Sequence, residues 1–117
     1  MNDADKVILL LYDPYRLPPL ERGDRFFCLV RDVAVVGVDD ARWGQLVTAV
    51  IAIRPGSGLP ELDDVRAHCR AALAAYKAPR AVVVVDEVVR SNAGKLDYPW
   101  AREQAAGVAD GEVRDAR

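Results

Sequence analysis

Three short runs of β-branched and other apolar residues constrain the fold of this chain more than any other feature. They lie at residues 33–38 (VAVVGV), 47–53 (VTAVIAI) and 81–85 (AVVVV). Short apolar runs rich in valine and isoleucine and bounded by polar turns are typical of buried strands. The Pro-Gly-Ser-Gly sequence after residue 54 is such a turn signal. The sequence therefore predicts a sheet of three strands, or slightly more.

A different periodicity between the second and third runs predicts a helix over residues 61–76. Apolar residues recur there at steps of three and four, which places them on one helix face. This stripe consists of Leu62, Val65, Cys69, Leu73 and Tyr76. Pro60 suits the first turn, where the missing N–H is not needed. Pro79 stops the helix from continuing.

A second, shorter helix is predicted at about residues 98–106, after the polar turn 91–95. The order strand, strand, helix, strand, helix predicts a small α+β domain at residues 31–106, with two helices covering one sheet. The segment 107–117 is charged and poor in apolar residues, so we expect a flexible tail. Residues 1–30 form a separate segment of unclear homology, in which 7–12 could add a strand.

Charge and composition exclude several classes of function. The formal net charge of −2 gives no reason to expect nucleic-acid binding. The apolar run at 7–12 is far shorter than the roughly 20 residues of a membrane span, and acidic residues precede it, so we expect a cytoplasmic protein. Cys28 and Cys69 form no C-x-x-C pair and His68 is the only histidine. We expect no metal site and two reduced, buried cysteines.

The pair Gly94-Lys95 lies on a predicted loop, where glycine followed by lysine can bind phosphate. A nucleotide-binding P-loop needs a glycine five positions earlier and a serine or threonine after the lysine. Val89 and Leu96 occupy those positions, so the P-loop interpretation fails. From these residues alone, Lys95 is interpreted as an ordinary solvated lysine.

The wider pattern resembles the C-terminal domain of the adenylate-forming (AMP-binding) superfamily, which includes acyl-CoA synthetases, peptide-synthetase adenylation domains and luciferases. Five family elements occur in the same order, and the similarity extends over about residues 32–103. The ending GKLDYPWARE is more similar to fatty-acyl-CoA synthetases than to peptide synthetases. The five elements are the strand 33–38, the turn 40–45, the Y-K-x-P-R turn 76–80, the Asp-Glu pair 86–87 and the segment 89–95.

The resemblance implies that Lys95 is the catalytic lysine of adenylation, which reaches into a large domain between the acyl carboxylate and the ATP α-phosphate. It implies that Gly94 has a positive φ or lies close to the nucleotide. Ser91 matches a family serine or threonine and is expected to bond the backbone of its own loop. Arg70 matches a helix arginine that contacts CoA phosphates in some relatives. The alternative for Arg70 is a solvated residue on the helix face.

Other polar and aromatic residues are expected to have structural roles. Trp43 is interpreted as a packing residue, and Lys77 and Arg80 as structural or interface residues of the Y-K-x-P-R turn. His68 has no serine, cysteine or carboxylate arrangement in the sequence that would predict a catalytic triad.

The same resemblance implies ATP or AMP and CoA as ligands, with Mg²⁺ held by the large domain. We expect the large adenylation domain to be the partner, because its phosphate loop and acid pocket are absent from these residues. Alone, the chain is expected to be inactive and to bind none of these ligands tightly. Gln45 and Val89 replace a family glutamate and proline, and residues 1–30 lack the glycine-rich family segment. The alternative is a non-catalytic binding or interaction module, or a truncated gene remnant with this fold.

Overall fold

The computed structural model describes residues 30–56, 58–70 and 78–117, which form four strands and two helices. The predicted order of elements is confirmed, and the strand predicted at 81–85 has those bounds. Residues 1–29, with the possible strand 7–12, and residues 71–77, at the end of the predicted first helix, lie outside the described residues. The elements are β1 (Val30–Asp40), β2 (Gly44–Ile53), α1 (Leu62–Arg70), β3 (Ala81–Val85), α2 (Tyr98–Ala105) and β4 (Val113–Asp115).

The four strands form one mixed sheet in the order β1-β2-β3-β4. β1 and β2 are antiparallel and joined by a tight turn, in which Asp40 Oδ1 accepts hydrogen bonds from the backbone N–H groups of Arg42 and Trp43, each at 2.9 Å. β2 and β3 are parallel, as are β3 and β4. Parallel neighbours need a crossover connection. The segment containing α1 provides the crossover between β2 and β3.

Both faces of the sheet are covered, which explains why its strands are continuous apolar runs. Alternate strand residues point to opposite faces. α1 packs on one face with Val65 and Cys69, whereas α2 packs on the other with Ala101 and Ala105. Cys69 is fully buried, as predicted, and burial raises the pKa of its thiol to about 11. Within the described residues, no helix has the length and apolar character needed to cross a bilayer.

The C-terminal segment differs from the flexible tail predicted at 107–117, because it adds β4 to the sheet. Val82 N donates to Glu112 O at 3.0 Å, and Ala116 N donates to Val84 O at 2.8 Å. Arg114 Nη1 also donates to Gln104 O at 3.2 Å and Ala106 O at 2.8 Å. These carbonyls lie at the end of α2, where helix carbonyls lack partners within the helix. The open edge of β3 therefore orders a segment that has little apolar character of its own.

Helix α2 begins at a capping residue, Asp97. Its carboxylate accepts a hydrogen bond from Trp100 N at 3.0 Å, and Pro99 follows in the first turn. Replacement of Asp97 by alanine leaves that N–H without its cap, so we expect the free energy of unfolding to fall by about 1 kcal/mol. Urea unfolding followed by circular dichroism measures this change. Asp97→Asn is the control, because asparagine caps about as well as aspartate. Equal losses in both variants would contradict a capping role.

Candidate functional site

The chain between β3 and α2 folds into a short hairpin whose tip is the lysine loop, Ser91–Lys95. Arg90 and Leu96 pair across the base of the hairpin. Within the loop, Ser91 N donates to Lys95 O at 2.7 Å, and Gly94 N donates to Ser91 O at 2.9 Å. Ser91 Oγ accepts from Lys95 N at 3.2 Å, which confirms the expected bond from this serine to the loop backbone. The backbone of the loop is therefore closed by its own hydrogen bonds.

Gly94 has a φ of +81°, which confirms the positive φ that was one of the two alternatives expected for this glycine. Residues with a side chain rarely adopt this left-handed region, whereas glycine does so readily. A Cβ atom at Gly94 would meet nothing within 4 Å among the described residues. Glycine is therefore required at position 94 by the positive φ of the turn before Lys95. No contact with another described part of the domain requires it.

Lys95 projects from this loop into solvent. All five residues of the lysine loop are exposed. Among the residues that the structure describes, none forms an ion pair or a hydrogen bond with the Lys95 ammonium. A lysine of this kind is a compact point charge on a long, flexible stem. None of the described residues therefore competes with an anion for this ammonium.

Arg90, at the base of the hairpin, connects the lysine loop to the sheet. Its Nε donates to Asp32 Oδ2 at 3.2 Å and its Nη2 to Asp32 Oδ1 at 3.0 Å. The third contact runs from Nη1 to Gly94 O at 3.3 Å. The hydrogen bonds to Asp32 raise the pKa of Arg90. Sequence reasoning missed this pair, because Asp32 and Arg90 are 58 positions apart and no local pattern relates them.

A second polar cluster lies at the other end of β3, around Trp43. The Arg80 guanidinium stacks over the Trp43 ring at 4.2 Å from its centroid, and Arg42 lies at 5.0 Å. Arg80 forms a bidentate ion pair with Asp110, at 2.9 and 3.0 Å. Trp43 Nε1 donates to the same carboxylate at 3.1 Å. Trp43 is 39% exposed, so it packs against Arg80 at the surface and not in the core. Arg80 makes contacts within the domain, and its expected role as a structural or interface residue stays a prediction.

The Asp110 carboxylate should make this cluster sensitive to acid. Hydrogen bonds from Arg80, and then from Trp43, lower the pKa of Asp110. The ion pair between Arg80 and Asp110 is therefore fully formed above about pH 4, the ordinary pKa that the Asp110 carboxyl has in the unfolded chain. It is lost as the pH falls through the lower pKa that this carboxyl has in the folded chain. In a Trp100→Phe variant, which leaves Trp43 as the fluorescent reporter, we expect constant emission from pH 7 to about 5 and a change below about 4.

The control for this titration is Asp110→Asn, which removes the titrating group and keeps the size of the side chain. We expect this variant to lose the acid transition of Trp43 fluorescence while far-ultraviolet circular dichroism stays native. An unchanged transition in Asp110→Asn would contradict the assignment to Asp110.

The remaining predicted residues fall at or beyond the limit of the described structure. Arg70 is the last residue of α1, and its side chain is outside the described part, so a contact with CoA phosphates stays a prediction. The side chain of His68 and all of Lys77 are also outside it. In the described part of the chain, no group of three or more His, Cys, Asp or Glu residues is arranged to hold a metal ion.

Comparison with known proteins identifies the family. The sequence model of the AMP-binding enzyme C-terminal domain matches residues 29–95. A Mycobacterium marinum protein, a medium/long-chain-fatty-acid–CoA and 3-oxocholest-4-en-26-oate–CoA ligase, is 56% identical over 75 residues. That match covers 64% of this chain and 14% of the ligase. The chain thus spans about one seventh of the length of such curated relatives.

Solved structures agree with the sequence comparison. An acyl-CoA synthetase from Brucella canis matches with a TM-score of 0.65 and 25% identity, over 86% of this chain and 16% of that one. The amide bond synthetase McbA from Marinactinospora thermotolerans matches with a TM-score of 0.66 and 29% identity, over 88% of this chain and 18% of that one. In both cases the similarity covers most of this chain and a small part of a larger protein.

The family match and the fold agree, because the matched residues include β1, β2, α1, β3 and the lysine loop. The sequence similarity to fatty-acid and steroid CoA ligases extends over 75 residues of the chain. This chain therefore belongs to the family of AMP-binding enzyme C-terminal domains and is most similar to those of fatty-acyl-CoA ligases.

Proposed function

We propose that this chain is the lid domain of an acyl-CoA ligase and that Lys95 contributes to formation of the acyl-adenylate. One observation carries the proposal: the lysine loop is held by its own hydrogen bonds and by Arg90, whereas its ammonium has no partner among the described residues. Such an arrangement suits a cation that acts on another domain. The position of Lys95 in the segment that resembles the family motif gives independent support.

The chemistry explains why a cation is useful at this position. In acyl-adenylate formation the carboxylate oxygen attacks the α-phosphorus of ATP, and the bond from that phosphorus to the pyrophosphate oxygen breaks. Negative charge builds up on the α-phosphoryl oxygens and on the pyrophosphate during this step. A cation placed beside those oxygens stabilises the transition state more than the ground state, and this difference lowers the barrier. Lysine can supply that charge from a flexible stem.

The proposal requires a large adenylation domain, which binds ATP, Mg²⁺ and the carboxylic acid. The match of this chain to one seventh of a curated ligase supports that division of labour. The names of the relatives point to fatty acids or steroid side-chain acids as substrates, with CoA as the second acceptor. We assign Gly94 to the nucleotide-facing turn and Arg70 to CoA phosphate. Without the large domain, the chain is expected to form no acyl-adenylate.

An ATP–pyrophosphate exchange assay with a medium-chain fatty acid tests the proposal. The assay compares the purified chain, the isolated large domain of the Mycobacterium marinum ligase, and the two together. We expect exchange only in the mixture, or in a fusion of that large domain to the complete chain. Exchange by the chain alone would contradict the required partner. If neither mixture nor fusion exceeds the large domain alone, the lid function is wrong and a non-catalytic interaction module is favoured.

A further inference from the structure

We infer that Arg90 is a positioning residue for Lys95, because one guanidinium links a strand of the sheet to the tip of the lysine loop. The inference rests on the proposed function of Lys95 and adds a second residue to it. Arg90 is exposed, as Lys95 is, but its donors are directed at Asp32 and at the carbonyl of Gly94.

The Arg90 guanidinium binds the Asp32 carboxylate and the Gly94 carbonyl at the same time, and we call this arrangement the Arg90 clamp. Nε and Nη2 both contact the carboxylate of Asp32, at 3.2 and 3.0 Å, which is the bidentate arrangement that guanidinium groups form with carboxylates. Nη1 remains free for Gly94 O, at 3.3 Å. Because the guanidinium is planar and rigid, binding of Asp32 determines where Nη1 points. The carbonyl it contacts belongs to the peptide bond that leads into Lys95.

Asp32 is a firm anchor for this clamp because it lies within the sheet. Asp32 is paired with Ala52 of β2 in the register of the sheet. Its Oδ1 also accepts a hydrogen bond from Val33 N at 2.8 Å. Most other polar contacts of the lysine loop join its residues to each other, so they maintain its shape without orienting it on the domain. Leu96 packs against the core behind the loop. Arg90 adds the polar link at the tip.

If Arg90 had only a structural role, its loss would act on the stability of the domain and thus on the melting temperature. The side chains of Arg90 and Asp32 are 37% and 31% exposed, and ion pairs at such sites contribute little to stability. Loss of the clamp should therefore change the melting temperature slightly and the rate of adenylation more strongly. A displacement of about 1 Å can lower a rate by up to about a hundredfold when a reacting group must be placed accurately.

The test measures adenylation by the complete chain fused to the large domain described above. We expect Arg90→Lys and Asp32→Asn each to lower kcat about tenfold while the KM for ATP stays unchanged, because the loop is misplaced rather than the nucleotide site. Combined with Lys95→Ala, neither change should lower the rate further. Arg102→Lys, at an exposed arginine that contacts Tyr98 on α2, is the control and should retain full activity.

A second measurement on the chain without the large domain examines the clamp independently of activity. In amide hydrogen exchange, Arg90→Lys should speed exchange at Lys95 and Gly94 and leave β2 unchanged. If Lys95→Ala has no effect on adenylation, the proposed function fails. Two outcomes overturn only the positioning role, provided that Lys95→Ala lowers the rate. In the first, Arg90→Lys leaves the rate unchanged. In the second, Arg90→Lys lowers the rate in the Lys95→Ala background by the same factor as in the unmodified fusion. Unchanged exchange at the loop would also overturn it.

Discussion

Replacement of Lys95 by alanine is expected to lower the rate of acyl-adenylate formation by about a hundredfold to a thousandfold, roughly 3–4 kcal/mol, the effect of removing one donor from a charge-stabilising site. The loss should appear in kcat, since the ammonium acts on charge that develops in the transition state. ATP–pyrophosphate exchange by the fusion of the large domain and the complete chain measures it. Thermal unfolding should change little, because Lys95 is exposed.

Asn92→Ala is the matched control for this prediction, because Asn92 is an exposed residue of the same loop. We expect Asn92→Ala to retain the activity of the unmodified fusion. Lys95→Arg should recover only part of the activity, because the planar guanidinium keeps the charge but has a different shape. Equal exchange rates in the unmodified fusion and in Lys95→Ala would show that Lys95 has no part in adenylation.

Replacement of Ile51 by alanine is expected to destabilise the domain by about 2–5 kcal/mol, because it removes buried methyl groups and leaves a cavity. Ile51 is fully buried in β2 and lies between Val33 of β1 and Val84 of β3 in the register of the sheet. Small domains have a total stability of only about 5–15 kcal/mol, so this change removes a large fraction of it. Urea unfolding followed by circular dichroism gives the difference.

Ile51→Val is the control in the core and should cost about 0.5–1.5 kcal/mol, since it removes a single methylene. Val89→Ala is the control on the surface, where Val89 is 39% exposed, and should stay within about 0.5 kcal/mol. If Ile51→Ala were no more destabilising than Val89→Ala, the packing of the sheet against α1 would be wrong.

β1, β2 and β3 were predictable because each has a run of β-branched and other apolar residues that does not depend on the rest of the sheet. The strand at Ala81–Val85 was predicted with its bounds, and β1 and β2 extend the predicted runs by a few residues at their ends. Strand ends are harder to predict because polar residues such as Asp40 and Gln45 pair only when the partner strand is present. β4 was not predicted, because Val113 is its only apolar residue and the open edge of β3 supplies its hydrogen bonds.

The candidate site was predictable in one part and not in another. Gly94 and Ser91 act within their own loop, so the positive φ of one and the backbone hydrogen bond of the other follow from local sequence. The clamp of Arg90 on Asp32 joins β1 to the segment between β3 and α2, and nothing in either segment alone indicates it. The same is true of Asp110, which lies in the turn before β4 and contacts Arg80 and Trp43 at separations of 30 and 67 positions.

The amino-acid sequence by itself determined the kind and order of the first five elements, the loop that presents Lys95 and the resemblance to the AMP-binding enzyme C-terminal domains. These features depend on residues close together in the chain. Folding brought Asp32 to Arg90 and Asp110 to Arg80, over separations of 58 and 30 positions. Contacts of that range depend on how the strands pair and on which face each helix covers. They therefore arise only once the sheet has been assembled.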